Sequence, residues 1–200
     1  MSGGCDGSPR WLTQAAASQA PDYREAPLGW LYVDRGSLTE RLTALAGGRF
    51  AVEVITQGWQ PLRPDECQAL DVPPSSPGWV REVWLRGDGE AWVFARSVAV
   101  RKALEAADFD LAALGDRPLG HWLFQAPAFV RGPLEACRYP LAWLPDGAAS
   151  TACWARRSVF SRGPLAILVG EVFLPAFWPQ AEHEQALIRQ DGSGDTTGPL

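Results

Sequence analysis

Residues 78–98, GWVREVWLRGDGEAWVFARSV, decide the fold. Apolar positions alternate on both sides of Asp88-Gly89, a dipeptide suited to the two-residue turn of a β-hairpin. Strand side chains two apart share a face, so Trp79, Arg81, Val83 and Leu85 lie together. An arginine on that apolar side needs a partner, because an unpaired buried charge is costly for a marginally stable domain. The stretch 164–177, PLAILVGEVFLPAF, poses the same problem with the opposite sign. Glu171 shares a face with Leu165, Ile167, Val169 and Phe173, and the other face of that strand is apolar too.

Working outward, GSLTERLTAL (36–45) carries a helix start: Ser37 as N-cap, Glu40 three residues on, and Leu38, Leu42 and Leu45 at helical spacing. The Gly47-Gly48 pair should end it. RFAVEVITQ (49–57) alternates Phe50, Val52 and Val54 as a half-buried strand, and the proline-rich stretch 61–78 reads as a loop. RKALEAADFDLAALG (101–115) places Leu104, Ala107, Leu111 and Leu114 on one helical stripe ending at Gly115, and DRPLGHWLF (116–124) restarts a short helix with Pro118 at its first position. APAFVRG (126–132), CWARRSVFSR (153–162) and PLAILVGEVFLP (164–175) are strands, the last two joined through Gly163-Pro164. Strands linked by hairpins with helices interposed predict a single α+β domain, an antiparallel sheet with helices covering a buried ligand site.

The chain has 200 residues, 46% of them hydrophobic, which is enough for one sizeable core. Residues 1–27 and 181–200 lack a sustained apolar period and are expected to be a flexible leader and tail around a domain at 28–180. A net charge of −5 with no Lys/Arg run argues against a nucleic-acid partner. The absence of a heptad or an apolar surface stripe makes a monomer the expectation. Cys5, Cys67, Cys137 and Cys153 form no CxxC pair and, with only His121 and His183 beside them, suggest free thiols and no metal site. Without a secretory start the expected location is cytoplasmic. The apolar tract 163–179 is shorter than the roughly 20 residues of a membrane span and contains Glu171.

Two readings compete for Arg81 and Glu171. They could simply pair with each other, or Arg81 could bind a ligand carboxylate while Glu171 works on a proton or hydroxyl at the opposite end of the same small molecule. Leu38 follows the Ser37 cap and Leu119 follows Pro118, so each offers an early backbone N–H suited to an anion. Arg156 and Arg157 point to opposite faces of their strand. A solvated edge is expected for at least one, and Arg156, on the side of Trp154 and Phe160, is a further candidate for a carboxylate contact. His121 reads as a satisfied or surface-edge histidine, and Arg86-Gly87-Asp88 as a turn. No Ser/His/Asp order and no phosphate-cradling loop occurs.

GSLTERL, WVREVWLRGDGEAWVFARSV, LGDRPLGHWLF, WARRS and GEVFLPA, taken in that order, resemble the chorismate pyruvate-lyase family over residues 29–178. The resemblance implies an enzyme that converts chorismate to 4-hydroxybenzoate and pyruvate, the first step toward the ubiquinone ring, on an antiparallel sheet whose helices enclose the site. It implies that Arg81 and the backbone of Leu38 and Leu119 hold the ring carboxylate while Glu171 reaches the hydroxyl. No metal or organic cofactor is then required. Relatives can carry Met at the Leu38 position, which a main-chain contact tolerates. Two alternatives share the fold: a sensor domain of a transcription regulator, for which residues 1–27 are too few to form a winged helix, and an aromatic-acid binder without catalysis. The position of the product's hydroxyl stays open.

Overall fold

The hairpin forms where its alternation places it. The computed structural model describes residues 8–33, 36–107, 117, 119, 123 and 129–191. Its antiparallel sheet is built from β1 (Leu12–Thr13), β2 (Phe50–Pro61), β3 (Pro77–Gly87), β4 (Glu90–Val100), β5 (Val130–Arg131), β6 (Glu135–Tyr139), β7 (Cys153–Arg162) and β8 (Leu165–Phe173). The spatial order is β1-β6-β7-β8-β4-β3-β2, with β5 also pairing β7. Helices α1 (Gln14–Ala17), α2 (Leu38–Leu45), α3 (Pro64–Ala69), α4 (Arg101–Ala107) and α5 (Trp178–Asp191) are interposed or follow, so the chain is α+β as expected.

Asp88 and Gly89 turn the hairpin with φ of 53° and 82°, both in the left-handed region that the primed turn requires. Gly87 is needed for another reason: a Cβ there would lie 2.2 Å from the ring of Trp92, which is buried beneath the turn. In α2, the Ser37 side chain accepts from the Glu40 backbone N–H, as the sequence signature predicts.

The sheet is sandwiched. Leu38 and Leu42 of α2 pack with Val83, Leu85, Val93 and Ala95 on one face, where Trp30, Phe173 and Phe177 make edge-on ring contacts. Leu104 of α4 extends that layer with Ala99, Ile167, Leu119 and Leu123. On the opposite face Cys67 of α3 packs with Val80, Val98 and Leu168, while Leu144 and Tyr139 cover Phe94 and Val172. Strand β4 is therefore buried on both sides from Trp92 to Ala99.

Several expectations need revision. The proline-rich stretch is not all loop: Pro64–Ala69 form α3, opened by Pro64 at its first turn and by the Glu66 carboxylate accepting from the Arg63 backbone N–H. Residues 12–23, assigned to the leader from composition, are packed. β1 pairs β6, and Tyr23, 4% exposed, donates to the Ala136 carbonyl. Beyond residue 180, α5 continues to Asp191 and buries Ala181. Arg156 and Arg157 are both buried, because β7 lies between β6 and β8 and is no edge. Cys67, Cys137 and Cys153 are free and buried. Burial pushes the Cys137 thiol above its ordinary range. His121, Pro118, Leu111, Leu114, Gly115 and Cys5 lie outside the described residues. No helix among the described residues is long and apolar enough to cross a membrane.

Candidate active site

Strand pairing turns one face of the sheet into a grid. One row reads Gln57–Arg81–Ser97–Val169–Ser158 across β2, β3, β4, β8 and β7. The next row reads Val54–Val83–Ala95–Glu171–Arg156. Arg81 and Glu171 thus stand at opposite corners of a patch two rows deep and three strands wide. Ideal sheet spacings put their Cα atoms about 12 Å apart, close enough to flank one small molecule.

A small cavity occupies that patch, lined by Thr39, Val52, Arg81, Val83, Leu85, Ala95, Ser97, Leu119, Val169 and Glu171. Its volume is about 40 Å³. Arg81 is 3% exposed. Its Nη1 donates to Gln57 Oε1 at 3.1 Å and its Nη2 to the Arg117 carbonyl at 3.2 Å. Glu171 Oε2 accepts from Arg156 Nε at 2.6 Å, and Arg156, 0% exposed, also donates through Nη1 to the Trp30 carbonyl at 2.8 Å. Oε1 of Glu171 takes no partner among the described residues. The acid is held by one oxygen and leaves the other to the cavity.

Of the sequence candidates, Arg81, Glu171 and Leu119 reach the cavity wall. Leu38 begins α2 and buries its side chain in the core, so its neighbour Thr39 supplies the wall and Leu38 offers only its backbone N–H. Arg156 is not among the lining residues and stands behind Glu171. Gln57, Thr39 and Ser97 are wall or anchoring residues that sequence reading passed over. Gln57 comes into register with Arg81 only because β2 slips by a residue between Val54 and Thr56, which alternation cannot show. Ser97 could have been found by carrying the period of two from Ala95 to Ala99.

The other face carries its own buried charges. Arg96 donates through Nε to Glu66 Oε1 at 2.6 Å and through Nη1 to Glu82 Oε1 at 2.7 Å. Burial alone would lower its pKa, but hydrogen bonds and charge from Glu66 and Glu82 outweigh that and hold it above the arginine norm. Arg157 donates to Glu135 at 2.8 Å and to Asp65 at 3.3 Å. Arg63 Nη1 donates to the Tyr139 hydroxyl at 2.6 Å.

With this geometry in view, the comparisons with known proteins are direct. The family model for chorismate lyase matches residues 11–183. The chain belongs to the chorismate lyase family. It is similar to a probable chorismate pyruvate-lyase of Pseudomonas aeruginosa (strain UCBPP-PA14), 59% identical over 171 residues, covering 86% of this chain and 94% of that protein. A protein of the same description from Pseudomonas putida is 56% identical over 165 residues, covering 82% of this chain and 89% of the relative. Among solved structures, the effector domain of PhnF from Mycobacterium smegmatis aligns with a TM-score of 0.48 at 14% identity, over 72% of this chain and 92% of that one.

Proposed function

We propose that this member of the chorismate lyase family eliminates pyruvate from chorismate to give 4-hydroxybenzoate, the first step toward the ubiquinone ring. The observation that carries the reading is the placement of Arg81 and Glu171 at opposite corners of one small, largely apolar cavity. A para-substituted ring acid has its charge and its hydroxyl at opposite ends, which is the polarity such a cavity offers. Membership of a family whose curated relatives are described as probable chorismate pyruvate-lyases supports the substrate.

In this reading Arg81 anchors the ring carboxylate, helped by the backbone N–H groups of Leu38 and Leu119. Glu171 orients the C4 hydroxyl or takes the C4 proton through Oε1. Arg156 acts through Glu171: its Nε fixes one carboxylate oxygen and thereby aims the other. Breaking the C3–oxygen bond and losing the C4 proton leave an aromatic ring, so aromatisation supplies the driving force. The protein's task is to hold the substrate aligned for elimination and to meet the charge that develops. No step calls for a metal or organic cofactor. The reading takes the protein to act as a cytoplasmic monomer without nucleic acid.

The test is incubation of the purified protein with chorismate, with products separated by chromatography. 4-Hydroxybenzoate and pyruvate in equal amounts are the expected outcome. 3-Hydroxybenzoate would move the reading to a related lyase, and tight binding of chorismate without any product would replace it with a binding domain.

A further inference from the structure

We propose that the Ser97 hydroxyl is the donor that meets the departing enolpyruvyl oxygen, an inference that rests on the lyase reading above. Ser97 lies on the cavity wall in the middle of β4. It is 7% exposed, and its hydroxyl takes no partner among the described residues. Its cross-strand neighbours are Arg81 on one side and Val169 on the other, and Ala95 follows on the same face.

The grid gives this hydroxyl a direction. A line from Arg81 to Glu171 crosses β4 between Ser97 and Ala95, so a ring lying along that line has one long edge over Ser97 and Val169 and the other over Ala95 and Val83. One edge is wholly apolar. The other carries a hydroxyl, and these four are the floor residues on which the ring would rest. With the carboxylate at Arg81 and the C4 hydroxyl at Glu171, the ether oxygen on C3 hangs from a long edge of the ring. Placed over Ala95 and Val83, that oxygen would gain negative charge against methyl groups. Over Ser97 it finds a donor already in position, which is where a preorganised hydrogen bond lowers a barrier.

The step balances without a further reactant. The C3–O bond breaks with its electron pair passing to the enolpyruvyl oxygen. The C4 proton leaves, and the pair from the C4–H bond becomes the third double bond of the ring. The released enolate takes up one proton at its methylene carbon and becomes pyruvate. Ser97 donates a hydrogen bond to the oxygen throughout and is neither oxidised nor consumed.

The product offers a clean control, since 4-hydroxybenzoate has no substituent at C3. Ser97→Ala should lower kcat about 10²- to 10³-fold, the usual effect of removing one donor from a developing oxyanion. It should leave the Kd for 4-hydroxybenzoate within about twofold and the melting temperature close to wild type. Ser97→Thr keeps the hydroxyl on a side chain that suits a strand, and it should recover most of the turnover. A kcat for Ser97→Ala within about twofold of wild type would overturn the proposal. So would unchanged turnover with weakened product binding, which would place Ser97 at the ring carboxylate. A wild-type protein that makes no product at all would instead sink the lyase reading, and this inference with it.

Discussion

The two faces of this sheet bury the same kinds of side chain and use them differently. On the α3 face, Arg96 meets Glu66 and Glu82, and Arg157 meets Asp65 and Glu135, all within 3.3 Å. Arg63, Glu66, Arg96 and Tyr139 leave only about 20 Å³ among them, although Arg157 and Glu135 also border a wider open cleft with Thr13 and Gln68. On the α2 face, Glu171 is held by Arg156 through one oxygen, Arg81 stands two strands away, and a cavity of about 40 Å³ on the same measure lies between them. Buried charge alone therefore does not mark a site. Around Arg96 the charges are spent on one another, whereas at Glu171 one carboxylate oxygen is left to the space it shares with Arg81.

Substitutions can break or sharpen that contrast. The largest effect is expected at Glu171. Glu171→Gln keeps an acceptor for Arg156 but replaces the carboxylate, and turnover of chorismate should fall about 10²- to 10⁴-fold, the range for losing a positioned acid or base. Arg156 keeps a hydrogen bond but loses the opposite charge, so the melting temperature should fall as well. If Glu171→Gln melted early yet kept its activity, the α2 face would be as purely structural as its opposite.

Glu66→Ala should do the reverse. It strips Arg96 of a two-oxygen partner deep in the fold, at a cost of about 3–5 kcal/mol. For a chain of this size that is a fall in melting temperature of the order of 10 °C. Activity per folded molecule should persist. A Glu66→Ala protein that is fully stable yet inactive would show that the α3 face takes part in the chemistry.

Arg81→Ala sharpens the contrast within the cavity. It removes an anchor that substrate and product share, so the Kd for 4-hydroxybenzoate, read by calorimetry, should rise about 10- to 100-fold, the value of one or two charge-assisted hydrogen bonds. A Kd unchanged by that substitution would take Arg81 out of the site.

The smallest effect belongs to the α3 face in alkali. Burial, partly offset by Arg63, pushes the Tyr139 phenol up to about 12 from its ordinary 10. A raised folded-state value means that the folded chain holds the proton more tightly than the unfolded chain does. Its stabilising contribution is intact below pH 10 and is lost as pH rises from 10 toward 12, to the extent of about 3 kcal/mol. Burial also pushes up Tyr23, Tyr32 and Cys137, so denaturant titrations at pH 9 and 11 compare wild type with Tyr139→Phe, and an equal loss of stability in both would count against it.

Much of this molecule could be read before its pairing was known. The hairpin, the Ser37 cap and the strands at 153–162 and 165–173 follow from local chemistry: turn residues, capping side chains and a period of two or 3.6. Arg81 and Glu171 stood out for the same reason, as charges breaking an apolar alternation. α3 did not stand out, because six residues flanked by prolines show too little periodicity, and its acids acquire meaning only when they meet Arg96 and Arg157. Nor could Arg156 and Arg157 be judged from their own strand, since burial depends on what pairs at either side.

The chain by itself determined which side chains share a face and which of them are out of place there, because geometry within a strand or a helix turn is set by covalent neighbours. Only the tertiary structure decided partners. Register between β4 and β8 and the slip in β2 are contacts between distant parts of the chain, and they bring Glu171 beside Ala95 and Gln57 beside Arg81. Those choices depend on the simultaneous packing of the whole sheet, and no local pattern encodes them.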